Sequence, residues 1–159
     1  MKNENKKKLW TYVVSIVIAL AVGGVSALIN AGKMTNPELA QPPLSPPAWL
    51  FPIVWTILFT LMGISAARVY LSECKGKSDA LFIYGTQLVV NFLWTIFYFT
   101  FSALALSFFW LLFLIVLVLL MLVRFERCVS GAGKLQIPYL VWLCFAAYLN
   151  FTTWMLNRA

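Results

Sequence analysis

Apolar residues occupy five long blocks of the chain, separated by short polar stretches. Each block is close to the roughly 20 residues that a helix needs to cross a hydrocarbon core of about 30 Å. The pattern therefore predicts five transmembrane helices, over residues 10–30, 48–70, 80–101, 103–124 and 135–156. We expect an all-α integral membrane bundle that forms a single domain over residues 1–159.

The longest connection, residues 31–47, is predicted to lie outside the membrane and holds five of the seven prolines. A connection of this length in a compact chain is usually functional or disordered, and the prolines favour a stiffened cover over disorder. We therefore interpret it as a lid over the bundle. Its candidate lid residues are Lys33, Pro42, Pro43, Pro46 and Pro47.

The positive charges favour one side of the membrane. Ten of the twelve lysines and arginines precede the first helix, follow the second or join the fourth to the fifth. By the positive-inside rule, the N-terminus is expected in the cytoplasm and the C-terminus outside. The net charge of +7 therefore reflects membrane orientation, and no nucleic-acid partner is expected.

The residue types that support several kinds of chemistry are missing from the apolar blocks. The chain has no histidine, and all five acidic residues lie outside the blocks or at their ends. This composition argues against proton-coupled transport, hydrolysis and a metal site, and no cofactor is expected. Cys74 and Cys128 fall in predicted cytoplasmic loops and Cys144 in the last helix, so the cysteines imply no disulfide framework.

Two helices carry a proline shortly before a tryptophan. Ser45 reads as an N-cap for the second helix, which places Pro52 beyond the first turn, where it would kink the helix before Trp55. Pro138 would act in the same way before Trp142. Counting from the opposite ends of the two helices, we expect the two tryptophans to differ in depth by about 10 Å.

Polar residues within the blocks indicate an interior site. Asn91, Trp94 and Thr95 share a face of the third helix, and Trp142, Ala146 and Asn150 form a stripe on the fifth. Amides at this depth must face the bundle interior. They either join helices by hydrogen bonds or bind a ligand, and for Asn91 the two interpretations are equally supported. In the first helix, small residues at four-residue spacing, including Ala19 and Gly23, predict close helix packing.

Several motifs together resemble one family. They are Pro46-Pro47, VWTILF at residues 54–59, NFLW at 91–94 and IPYLVW at 137–142. Their order and spacing resemble the translocator protein or tryptophan-rich sensory protein family, once called the peripheral-type benzodiazepine receptors, and the resemblance covers nearly the whole chain.

This resemblance implies a receptor or carrier, usually a homodimer, with a pocket beneath the first loop. The implied ligands are flat and lipophilic: tetrapyrroles such as protoporphyrin IX and haem, and benzodiazepine-site ligands. The candidate ligand-binding residues are Trp55, Phe59, Asn91, Trp94, Thr95, Trp142, Ala146 and Asn150. Two alternatives stay open. One is light-dependent porphyrin breakdown, in which Trp55 and Trp142 would be catalytic, and the other is a regulatory membrane subunit without a small-molecule ligand.

The first loop departs from the pattern of that family. Thr35 and Asn36 replace its usual Trp-Tyr pair, and Gln41 and Leu44 stand where it has lysine and tryptophan. The resemblance therefore predicts fewer loop contacts to a tetrapyrrole, with Lys33 as the remaining candidate for pairing with a propionate. The sterol motif of animal members is not met near the C-terminus, so no sterol ligand is expected.

Overall fold

The computed structural model describes residues 2–33 and 39–158. It contains α1 (Lys2–Ile29), α2 (Leu50–Tyr70), α3 (Lys77–Thr95), α4 (Leu104–Cys128) and α5 (Ile137–Leu156). A π-helical turn, Ile96–Thr100, continues α3, and a 3₁₀ turn, Lys134–Gln136, precedes α5. Within the described residues there is no strand, and five helices are long and apolar enough to cross a membrane. The predicted all-α membrane class is confirmed.

The helices pack as a bundle in which α1 lies mainly on α2, α3 on α4, and α4 on α5. The backbones of α2 and α5 approach each other far less closely, and on this side of the bundle α2 contacts the 3₁₀ turn that precedes α5. Side chains, rather than close backbone packing, therefore fill the space between α2 and the middle of α5.

The sides of α4 have different environments. Leu111, Leu114, Val118, Met121 and Phe125 recur every three or four residues and are fully buried against the bundle. The opposite face carries exposed leucines, valines and phenylalanines. Because lipid tails solvate apolar side chains as well as a protein core does, this face is compatible with the membrane interior.

Small residues bring α1 and α2 close together. Ala19 is fully buried, and a Cβ atom added to Gly23 would overlap the ring of Phe59 on α2. On the other side of the contact, a Cβ atom added to Gly63 would overlap the backbone of Ile16. The predicted close packing of the first helix is therefore present, and its partner is α2.

The first helix begins at Lys2, eight residues before the apolar block. Ile16 lies beside Gly63, and α2 ends seven residues after Gly63, about 10 Å away. From Ile16 back to Lys2 is about 21 Å at the same rise. The N-terminal part of α1 therefore extends about two turns beyond the end of α2, and the lysines that precede the apolar block are helical.

The two prolines predicted to kink helices lie in first turns instead. The second helix begins at Leu50, and Trp49 rather than Ser45 occupies its N-cap position. Pro52 is thus the third helical residue and Pro138 the second residue of α5, where backbone amides have no intrahelical acceptor. The Ser45 cap and the kink at Pro52 are wrong because the turn closed by the Leu50 amide and the Pro47 carbonyl, 3.0 Å apart, delays the start of α2. The kink at Pro138 is wrong because a 3₁₀ turn occupies residues 134–136 and α5 begins only at Ile137.

A disulfide joins Cys74, after α2, to Cys128, at the end of α4, with their Cα atoms 5.2 Å apart. The sequence-based expectation of no disulfide is therefore wrong. The two cysteines are 54 positions apart in sequence, and only the packing of α4 beside the α2–α3 turn brings them together. Cys144 is free and exposed.

The α4–α5 loop folds back against the bundle. The Glu126 carboxylate accepts hydrogen bonds from the backbone amides of Gly131, Gly133 and Lys134 at 2.9 to 3.3 Å. The hydroxyl of Ser65, five residues before the end of α2, donates to the Ala132 carbonyl at 2.6 Å. The start of α5 is consequently displaced from the end of α2 towards the middle of the membrane, which sets the depth of every residue on α5.

Candidate functional site

Trp142 lies about one helical turn nearer the lid than Trp55. The Trp142 ring contacts Phe51, four residues before Trp55 on α2, and the Trp55 ring contacts Tyr139, three residues before Trp142 on α5. Because α2 runs away from the lid and α5 runs towards it, a rise of 1.5 Å per residue gives a difference in depth of about 5 Å. The expected difference of about 10 Å, with Trp55 nearer the lid, is wrong in size and in sense, because the inward α4–α5 loop raises the start of α5.

Aromatic rings from α2 and α5 contact each other across the space between these helices. The Trp142 ring meets Phe51 edge-on at 5.8 Å, and Trp55 meets Tyr139 at 6.1 Å. Trp55 also stacks on Phe59, one turn along α2, at 5.4 Å. We call these five side chains the aromatic wall; it contains three predicted site residues, Trp55, Phe59 and Trp142.

Trp94 and Asn150 are joined to each other. The Trp94 indole Nε1 donates to Asn150 Oδ1 at 3.3 Å, and Asn150 Nδ2 donates to the Leu104 carbonyl at 3.0 Å. All three residues are buried, as is Ala146, one turn before Asn150. Asn150 therefore connects α3, α4 and α5, and both ends of its amide are engaged.

Thr95 bonds to α1 rather than to the aromatic wall. Its Oγ1 lies 2.7 Å from the Ser26 hydroxyl and accepts from Asn30 Nδ2 at 3.1 Å. Thr100, in the π-helical turn, donates to Asn30 Oδ1 at 3.0 Å. These four polar side chains join α1 to α3 near the lid side, so the hydroxyl of Thr95 serves helix packing.

Asn91 differs from the other polar residues of the site. It is buried, with 2% of its surface exposed, and its Oδ1 has no hydrogen-bond partner among the residues that the structure describes. A buried carbonyl oxygen without a donor costs about 1–3 kcal/mol. Asn91 therefore presents an unused acceptor to the bundle interior.

The sequence analysis missed two residues of this region, Phe51 and Tyr139. The hydroxyl of the fully buried Tyr139 donates to Gln87 Oε1 at 3.0 Å, while Gln87 Nε2 lies 3.9 Å from the sulfur of Met62. The position of Tyr139, three residues before Trp142 on the same helix, was a signal for its inclusion. No feature of the sequence indicated Phe51, because its contact with Trp142 depends on the depth of α5 in the membrane.

The lid is tied to the end of α5. The Ala40 amide donates to Asn157 Oδ1 at 2.9 Å, and Asn157 Nδ2 donates to the Ala40 carbonyl at 3.1 Å. Pro42 is buried and its carbonyl accepts from the Ser45 amide at 3.1 Å. Of the other candidate lid residues, Pro46 is half-buried. The remaining three are exposed: Lys33, Pro43 and Pro47. The substituted pair Thr35 and Asn36 lies outside the described residues.

Comparison with known proteins identifies the family to which this chain belongs. The TspO/MBR family model matches residues 13–155. The chain is 33% identical to "Tryptophan-rich protein TspO" of Chlorobaculum tepidum, over 89% of this chain and 96% of that protein. It is 35% identical to "Tryptophan-rich sensory protein" of Cereibacter sphaeroides, over 87% and 88%. It is 27% identical to "Translocator protein" of Ovis aries, over 94% and 92%. The chain is therefore a multi-pass integral membrane protein that belongs to the TspO/MBR family.

Proposed function

We propose that this protein is a membrane receptor or carrier that binds a flat lipophilic ligand between α2, α3 and α5, beneath the lid. The ligand class is a tetrapyrrole such as protoporphyrin IX or haem, and benzodiazepine-site ligands would use the same region. The observation that carries this proposal is the separation of the α2 and α5 backbones, with the aromatic wall filling the space between them.

A planar ligand can replace the contacts within the aromatic wall by equivalent ones. Each ring–ring contact contributes about 0.5–1.5 kcal/mol beyond burial, so the side chains can turn to stack on a ligand at modest cost. Trp55 and Trp142 lie on facing helices about one helical turn apart in depth, so a single macrocycle that is tilted between them can contact both. The wall therefore supports a flat ligand better than a bulky one.

Two polar groups of the protein are suited to a tetrapyrrole. The unpaired Oδ1 of Asn91 can accept a hydrogen bond from a pyrrole N–H, which removes the cost of burying it unpaired. At the lid, the exposed Lys33 is a cation that a propionate can reach. The link between Ala40 and Asn157 holds the loop over the end of α5, so a ligand would enter by breaking or passing it.

The first test is a dark titration of the detergent-solubilised protein with protoporphyrin IX, followed by quenching of tryptophan fluorescence. We expect saturable binding that weakens about fivefold in Trp55→Phe and in Trp142→Phe, because each loses part of the stacking area. Trp49→Phe is the matched control, since Trp49 is 65% exposed at the start of α2. Because the titration is done in the dark, light-driven breakdown of the porphyrin does not occur and the quenching reports binding alone.

The proposal fails if Trp49→Phe weakens binding as much as the two wall variants do, because the porphyrin would then associate with exposed aromatic surface. It also fails if no saturable binding is seen. A protein that is indifferent to these ligands would favour the regulatory membrane subunit.

We infer from the resemblance that the protein is a homodimer. The apolar side chains exposed along α1 and α4 leave surface for a second copy as well as for lipid. Cross-linking in native membranes, compared with the mass of the purified detergent complex, tests this part of the proposal.

We also infer that the N-terminus is cytoplasmic, from the charge bias. The disulfide between Cys74 and Cys128 lies on the same, basic side, where a reducing cytoplasm would oppose it. In a background in which Cys74, Cys128 and Cys144 are all replaced by serine, we expect a membrane-impermeant maleimide to label Lys33→Cys in intact cells and Lys134→Cys only after lysis. The reverse pattern would overturn the orientation and place the disulfide in an oxidising compartment.

A further inference from the structure

A groove of about 640 Å³ lies at the basic end of the bundle, away from the aromatic wall. It is formed where the N-terminal turns of α1 pass the end of α2. Its lining combines lysines, small polar side chains and aromatic rings: Asn3, Lys6, Lys7, Trp10, Thr11, Tyr70 and Leu71.

The groove lies at the depth of lipid headgroups. It is level with the last residues of α2, and α1 continues about two turns further out of the membrane. Trp10 and Tyr70 are both exposed, and amphipathic rings of this kind sit at the boundary between hydrocarbon and water. One end of the groove therefore meets acyl chains and the other meets the headgroup layer.

The charge of the groove selects an anion. Lys6 and Lys7 both line it and are exposed, and Lys8 follows directly. The same membrane face carries ten of the twelve basic residues and four of the five acidic ones. Positive charges therefore outnumber negative charges on this face, and the electrostatic potential around the groove is positive. A lysine near a membrane surface adds attraction to anionic lipid, which makes a negative headgroup the favoured occupant.

We propose that this groove binds an anionic phospholipid of the leaflet at the N-terminal face. Lys6 and Lys7 pair with its phosphate, and the side-chain amide of Asn3, which also lines the groove, donates to the headgroup. Trp10, Tyr70 and Leu71 pack against the glycerol and the first methylenes. A free phosphate ion would use only the lysines, whereas the apolar part of the lining fits a lipid.

The test is lipid binding to the purified full-length protein, measured by native mass spectrometry after incubation with phosphatidylglycerol or phosphatidylcholine. We expect phosphatidylglycerol to be retained preferentially, and the variant Lys6→Gln/Lys7→Gln to bind it about tenfold more weakly. The matched control is Lys8→Gln/Lys75→Gln, which removes the same charge on the same face outside the groove and should retain near-wild-type binding.

Comparing the two double variants distinguishes binding at a specific site from general electrostatic attraction of the lipid to the protein. Equal weakening in both pairs would overturn the proposal, because the lipid would then respond only to total charge. Displacement of phosphatidylglycerol by millimolar inorganic phosphate would also overturn it, because a soluble anion would then be the ligand. Thermal unfolding of every variant at the wild-type temperature would show that the substitutions act on binding and not on folding.

Discussion

Gly63→Leu should lower the stability of the bundle by about 2–3 kcal/mol, because overpacking a tight contact has costs of this size. The missing side chain of Gly63 lets α2 approach the backbone of Ile16 on α1, where even one added carbon would overlap. The neighbouring atoms are backbone and cannot turn aside, so the helices must separate. Because α1 has few other buried contacts, this separation removes most of what holds it to the bundle.

The measurement is thermal or denaturant unfolding of the detergent-solubilised protein, with Gly85→Leu as the matched control. Gly85 lies on α3 with nothing within 4 Å of an added Cβ atom, so the same substitution there gains helix propensity without a clash. We expect the control to be as stable as wild type or slightly more stable. Equal unfolding of the two variants would mean that α1 and α2 are not packed as closely as the structure has them.

The number and class of the helices could be predicted because the membrane sets the length of an apolar run. The positions of the helix ends were harder to predict from the sequence. The charged turns of α1 carry no apolar signal, yet they continue a helix that the apolar block has already nucleated. At α2, the prolines suggested a start near Ser45, but the helix begins at Leu50.

The relative depth of the helices could not be predicted, because one loop determines it. Hydropathy locates the start of α5 in sequence but not in the membrane. The Glu126 carboxylate accepts hydrogen bonds from three backbone amides of the α4–α5 loop, and the Ser65 hydroxyl donates to the carbonyl of Ala132 in the same loop. These contacts join positions far apart in sequence, and they set the depth of Trp142 relative to Trp55. The disulfide between Cys74 and Cys128 escaped prediction for the same reason.

The polar residues of the candidate site were located by pattern, but the pattern could not assign their roles. Asn91 and Asn150 look alike in the sequence, since each is an amide inside an apolar helix. In the structure Asn150 uses both ends of its amide between helices, whereas Asn91 leaves its Oδ1 without a partner. Thr95 shares a helical face with Asn91, yet its hydroxyl bonds to α1. The role of each polar residue depends on which neighbouring helix it contacts, and the periodicity of one helix does not show those contacts.

Asn150→Leu should therefore destabilise the protein, whereas Asn91→Leu should not. Leucine at position 150 leaves the buried Trp94 N–H without an acceptor and removes a link to α4. An unpaired buried donor costs about 1–3 kcal/mol, so we expect a loss of about 2 kcal/mol. Leucine at position 91 removes an unpaired acceptor instead, so the stability of that variant should equal or exceed that of wild type.

Unfolding measurements on both variants, with a protoporphyrin IX titration of Asn91→Leu, check these expectations. If Asn91 is a ligand contact, its replacement should weaken binding about tenfold while the fold stays intact, because the ligand N–H would then be buried without an acceptor. Matching losses of stability in the two variants would show that Asn91 joins helices as Asn150 does. Unchanged binding in a stable Asn91→Leu variant would remove Asn91 from the site and leave the aromatic wall as its main support.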